Sequence, residues 1–151
     1  MAFLKIASTM PEGIHLIFGE NSLMQKSPVF SQSGPLAGAP YTPAVRAQGE
    51  LLFISGQLGL DPATKQPYEE FEAQVEGAIA GLKGLVEAAG GSLDNIVKTT
   101  VFLSGDMTRF PVLNEIYARH FNGEVRPARS TFAVAALPAG ALVEIEAIAV
   151  L

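Results

Sequence analysis

The chain of 151 residues contains no cysteine. Disulfides, thiolate nucleophiles and sulfur-ligated metals are excluded together, and a reducing compartment is the matching environment. Histidine is almost as scarce: His15 and His120, far apart in the chain, are the only two. A histidine-rich zinc centre or a Ser-His-Asp triad has little material to draw on. Basic residues number 10 against 15 acidic ones, for a net charge of −5, and the densest basic stretch is Arg126 with Arg129. Proteins that hold nucleic acid neutralise phosphates with clustered Lys and Arg, so this balance argues against such partners. No apolar run approaches the roughly 18 residues that span a bilayer, so no membrane partner is expected. The first ten residues lack the hydrophobic block and cleavage site of a secretory signal.

What is present is 48% apolar and 17% charged, the composition of one soluble globular domain. Residues 1–39 differ from the rest: Ser, Gly, Pro and Met are scattered through them, with one apolar patch at 14–18. They are expected to be an N-terminal extension to a domain over 40–151, with a short strand docked on the domain as one option. Cytoplasmic residence is expected, with organellar targeting by the extension left open.

From Tyr41 the pattern sharpens. Residues 41–47 and 51–55, separated by Gln48-Gly49-Glu50, read as a hairpin. Gly56 and Gly59 signal a bend or bulge, with a further short strand possible near Gln57. Asp61 begins a turn in which its carboxylate meets amides ahead of it. Phe71, Val75, Ile79, Leu82 and Val86 recur at helical spacing, and Gly90 suits the left-handed end of that helix. Residues 96–103 are rich in β-branched side chains and read as a strand. Asp106 is expected to cap a second helix over 108–121, whose Phe110, Leu113, Tyr117 and Phe121 keep the period. Strands are expected over 130–136 and 142–150. The order predicts an α+β fold, a mixed sheet with two helices on one face. The strands are apolar on both faces, so the uncovered face calls for self-association.

The candidates for chemistry lie near the end of the chain. Arg129 follows Pro127 at the entry to a strand and would share a face with Thr131 and Ala133. A guanidinium on a rigid strand suits two-pronged recognition of a carboxylate. A salt bridge to Glu144, Glu146 or another acid is the alternative reading. Those two glutamates share a face of an otherwise apolar strand, as an acid–base pair would, or as a solvated edge would. Asn114 sits inside a helix that it disfavours, which fits a side chain kept for a contact, although a solvent-facing Asn is the commoner explanation. Tyr41 offers a hydroxyl, and Ser55-Gly56 a small hydroxyl and an amide. His120 near a helix C-terminus interacts with the dipole and needs no catalytic role.

Taken together, Leu52-Phe-Ile-Ser55-Gly56-Gln57, Asp61-Pro62-x-Thr64, Val86-Glu-Ala-Ala-Gly90, Ile96-Val-Lys-Thr-Thr-Val101, Asn114-x-x-Tyr117, Arg126-Pro-Ala-Arg129-Ser130 and Val143-Glu-Ile-Glu-Ala-Ile-Ala149 resemble the Rid (YjgF-type) family of reactive-intermediate deaminases. The resemblance implies a chorismate-mutase-like homotrimer with clefts between subunits. It also implies hydrolysis of enamine and imine carboxylates such as 2-aminoacrylate to 2-keto acids and ammonia, with no metal or organic cofactor. Arg129 falls on the family's carboxylate-binding arginine and Glu144 on the glutamate beside the attacking water. Tyr41, Ser55, Gly56, Asn114 and Thr131 fall on other pocket positions. Thr131 stands where many members have cysteine, and Ala39 and Lys65 replace usual glycines. A non-catalytic trimer that binds small carboxylates, or acts as a chaperone, is the rival expectation. RNA cleavage, ascribed to some members, is disfavoured by the acidic balance.

Overall fold

The computed structural model describes residues 25–32 and 38–151. The apolar patch at 14–18 lies outside the described residues. In chain order the strands are β1 (Gln25–Val29), β2 (Ala44–Gln48), β3 (Leu51–Gln57), β4 (Ile96–Ser104), β5 (Ala128–Val134) and β6 (Val143–Val150). Helices α1 (Phe71–Ala88) and α2 (Phe110–His120) separate β3 from β4 and β4 from β5. The main sheet has the order β3-β6-β4-β5, with β4 and β5 parallel and the other pairs antiparallel. The expected mixed sheet with two helices is therefore the observed one.

The helical face is built from the periodicity. Phe71, Val75, Ile79, Leu82 and Val86 of α1 are buried against Val101, Leu103, Val143 and Ile145 of the sheet. Gly90, at φ +90, ends α1 in a conformation that costs a residue with a Cβ. Pro111 stands in the first turn of α2, where its missing N–H is no loss. Asp106 does not cap that helix; Arg109 holds the N-cap position. The Asp106 carboxylate instead accepts from the Thr108 amide at 2.9 Å and the Thr108 hydroxyl at 2.6 Å, closing the turn before the helix. Asp61 does the same for Ala63 and Thr64, as its sequence suggests.

The expected hairpin is not formed. β2 pairs antiparallel with β1 in a separate two-stranded ribbon, and β3 pairs with β6. The junction between β2 and β3 is tied to the far end of the sheet, where Glu50 and Leu151 exchange backbone hydrogen bonds of 3.0 and 2.8 Å. The ribbon is held by Lys26, whose ammonium donates to the carbonyls of Asp94 (2.8 Å) and Ile96 (3.1 Å). The bulge does occur: the β3–β6 register shifts between Ile54 and Gln57, and β3 itself continues to Gln57. Gln74 of α1 fixes the start of β6. Its amide nitrogen donates to the Tyr68 carbonyl (2.6 Å) and its oxygen accepts from Leu142 N–H (2.8 Å).

Alternation along β6 sorts the two faces. Val143, Ile145, Ala147 and Ala149 are buried under the helices. On the other face, Phe53 is 71% exposed, Leu51 58% and Phe132 54%, a large apolar area without cover from this chain's described residues.

Candidate active site

Arg129 is the second residue of β5 and sits opposite Thr99 of β4, so its side chain leaves on the helical face. Three segments converge on it. The loop at 38–42 is drawn to the entry of β5 by Arg126, which donates to the Ala39 carbonyl (3.1 Å), and by the Thr42 amide, which donates to the Pro127 carbonyl (3.0 Å). That places the Tyr41 ring 5.6 Å from the guanidinium carbon. From α2, Phe110 and Tyr117 present rings at 5.6 and 4.6 Å, and Asn114 Oδ1 accepts from Arg129 Nη2 at 2.7 Å. Three aromatic faces, each worth roughly 0.5–2 kcal/mol to a nearby cation, thus frame the group.

Tyr117 is itself anchored. Its hydroxyl shares a 2.7 Å hydrogen bond with Thr99, and both residues are fully buried. Burial pushes the Tyr117 hydroxyl up to about 12, against the opposing pull of Thr99 and of Arg129. Burial also draws the Arg129 guanidinium down from its ordinary value, opposed by Tyr117 and Tyr41. A guanidinium retains its charge through such a shift.

The salt-bridge reading of Arg129 is not realised. The ion pairs among the described residues are Lys83–Glu87, Arg119–Glu76 and His120–Glu76, and none involves Arg129. Its Nη1 is buried without a hydrogen-bond partner among the described residues, and so is Thr131 Oγ1 on the same face of β5. Each such group costs about 1–3 kcal/mol when left unsatisfied. The site opens into a cavity of about 440 Å³ lined by Tyr41, Phe110, Asn114, Glu115, Ala118 and Arg129, with 38–40 at its rim. A cation held by rings and an amide, with donor capacity unspent, can grip a small carboxylate through parallel hydrogen bonds.

Glu144 lies elsewhere. It sits opposite Phe102 in β4, which places it on the open face of the sheet and not on the face of Arg129. Its carboxylate occupies the space over Gly56, where any Cβ would overlap it. Gly56 therefore makes room for Glu144, and the bulge in β3 brings the two together. Ser55 and Glu146 border a neighbouring cavity of about 300 Å³ with Phe53, Lys98, Thr100 and Ile148. Lys98 donates there to the Thr99 carbonyl (2.8 Å) and the Ser130 hydroxyl (3.1 Å). Burial draws the Lys98 ammonium down, and Glu146 opposes it.

The seven residues expected in the site thus form two groups. Arg129, Asn114, Tyr41 and Thr131 share the helical face, whereas Glu144, Gly56 and Ser55 share the open face. From sequence, Phe110 and Tyr117 show only helical spacing and, for Tyr117, a place in the Asn114-x-x-Tyr117 motif, not a ring framework around Arg129. Their spacing around Asn114, at i−4 and i+3, is the signal that one helix stripe serves Arg129. His120 does more than meet the helix dipole: its Nε2 lies 2.6 Å from Glu76 Oε2.

Residues 31–151 match the family described as Endoribonuclease L-PSP. The chain is 44% identical over 124 residues to the mouse protein named 2-iminobutanoate/2-iminopropanoate deaminase, spanning 81% of this chain and 89% of that one. It is 38% identical over 152 residues to Reactive Intermediate Deaminase A, chloroplastic, of Arabidopsis thaliana, spanning 100% and 79%. The crystal structure of RidA from an Antarctic Psychrobacter is 42% identical and aligns with a TM-score of 0.64 over 83% of this chain and 99% of that one.

Proposed function

Because this chain belongs to the Rid (YjgF/RutC) family, we propose that it hydrolyses imines of 2-keto acids, and the enamines that tautomerise to them, to the keto acid and ammonia. The observation that carries this reading is Arg129: a framed, half-buried guanidinium at a cavity, with no acid paired to it among the described residues.

In this mechanism Arg129 holds the substrate carboxylate, which fixes the adjacent imine carbon. Water adds to that carbon while Glu144 takes its proton, and the proton passes to nitrogen. The hydroxyl proton of the carbinolamine then passes through Glu144 to the amine, and the intermediate collapses to C=O as the C–N bond breaks and ammonia leaves. Positioning dominates, and a placed general base typically contributes about 10²–10⁴-fold. Thr131, Ser55 and the Gly56 amide supply hydrogen bonds around the reacting atoms. Neither a metal nor an organic cofactor enters the scheme.

Arg129 and Glu144 lie on opposite faces of one sheet, so a complete site needs two copies, one giving Arg129 and the next Glu144. The exposed apolar face around Phe53 and Phe132 supplies the drive for assembly, and the proposed assembly is the homotrimer. Mixing Arg129→Ala with Glu144→Gln chains tests this directly. Each alone should fail to speed keto-acid formation from 2-aminoacrylate, while hybrids should recover about a quarter of wild-type activity from random pairing. Inactive hybrids of verified composition refute the shared site; a wild-type protein no faster than solvent refutes the deaminase. Ligand binding without turnover would instead favour a carboxylate-binding trimer. The family description names an endoribonuclease, but the net charge of −5 and the lack of a basic cluster weigh against RNA as substrate.

Residues 1–39 are proposed as an extension to the catalytic domain, and the cytosol as its place of work. The Arabidopsis relative named as chloroplastic aligns with all of this chain, so a fluorescent fusion with and without 1–39 is the test of location.

A further inference from the structure

The cavity beside Arg129 carries a second ionisable group that the reaction does not use. Glu115 lines it, one residue after the Asn114 that holds the guanidinium. It makes no ion pair with Arg129 and has no hydrogen-bond partner among the described residues, so its carboxylate is free to act on what enters. Phe110, Asn114 and Ala118 follow one another at four-residue spacing along α2, and Glu115 stands beside that stripe. At about 440 Å³ the space falls within the roughly 300–1,000 Å³ typical of small-molecule sites, enough for a side chain longer than a methyl group. A ligand with its carboxylate on Arg129 therefore runs its other end along Phe110 and Ala118 and past Glu115.

We infer that Glu115 is a specificity determinant that reads the charge at the far end of the substrate, favouring neutral or cationic side chains over acidic ones. The inference rests on the carboxylate-binding role proposed for Arg129. Glu115 carries no chemical step; it repels a second carboxylate that the aromatic and small residues of the cavity would otherwise accommodate. Like charges a few ångströms apart at a partly screened rim give discrimination on the order of 3–10-fold. Such discrimination fades when salt shortens the screening length to about 3 Å at 1 M.

The test measures binding of 2-oxobutanoate and 2-oxoglutarate to the full-length assembled protein by calorimetry. In Glu115→Gln the affinity ratio should move about 3–10-fold toward 2-oxoglutarate, and further in Glu115→Lys. In the wild type, raising salt should move the ratio the same way. A ratio that stays within twofold in both variants overturns the inference and leaves the deaminase reading intact. A wild-type protein that binds neither keto acid overturns the Arg129 reading, and this inference with it.

Discussion

Changing Asn114 to Asp should stabilise the protein and disable it together. The substitution keeps the shape of the side chain and puts an anion where a neutral oxygen now accepts from Arg129 Nη2 at 2.7 Å. Two unit charges about 4 Å apart at an effective dielectric of about 20 attract by about 4 kcal/mol. Desolvation of the new carboxylate takes back part of this, leaving roughly 1–3 kcal/mol in favour of the internal pair. A ligand carboxylate must then compete with an anion already on the guanidinium. At about 1.4 kcal/mol per tenfold, its affinity should fall about 10–100-fold. Calorimetric titration with 2-oxobutanoate measures the affinity, and urea denaturation at matched protein concentration measures stability. The expected outcome is weaker binding with a raised denaturation midpoint. Binding within twofold of wild type, or a midpoint that does not rise, would refute the account of Arg129 as an unneutralised cation positioned by Asn114.

Gly56→Ala should cut turnover at least tenfold while shifting stability less, because its Cβ displaces the Glu144 side chain from Cγ outward and meets no backbone there; kcat and a thermal melt separate the two. Tyr117→Phe strands the buried Thr99 hydroxyl, at a cost of about 1–3 kcal/mol read from urea denaturation, and adding Thr99→Val should recover part of it. Glu76 joins α1 to Arg119 and His120 of α2. Burial alone would raise its carboxyl, but the hydrogen bonds from Arg119 and His120 outweigh burial and draw it down. Its stabilisation is thus complete above the ordinary carboxylate range and is lost as pH falls through the lower folded value. Both partners are substantially exposed, so Glu76→Gln should cost less than about 1 kcal/mol at neutral pH, with the two denaturation curves converging in acid.

Local rules carried much of the fold. The stripe from Phe71 to Val86 and the alternation along β6 each bury a face, and burial is what such periods encode. The hairpin expected of β2 and β3 fails for the same reason. Gln48-Gly49-Glu50 is a local turn signal, whereas the choice of β6 as partner for β3 depends on apolar matching between residues about a hundred positions apart. Arg129 and Glu144 were legible as chemistry, since charges near apolar strands need a partner. Their placement on opposite faces was not, because it follows from how β4, β5 and β6 are registered. Asn114 inside a helix reads more readily as a solvent-facing side chain than as one kept for a contact, and it is the contact, to Arg129, that the structure shows. Glu115 offered no signal of its own, being one exposed acid among several until the helix is set against β5.

The strand at the centre of the main sheet is β6, flanked by β3 and β4, yet it is the last of the four in chain order. During synthesis β4 and β5 can pair, but β3 and β4 must wait with the edges that face β6 unsatisfied until residues 143–150 have cleared the ribosome. Nascent chains halted before that point would expose adhesive β edges, so this protein should lean on holding chaperones until β6 emerges, and deleting β6 should yield aggregates and not a smaller folded domain.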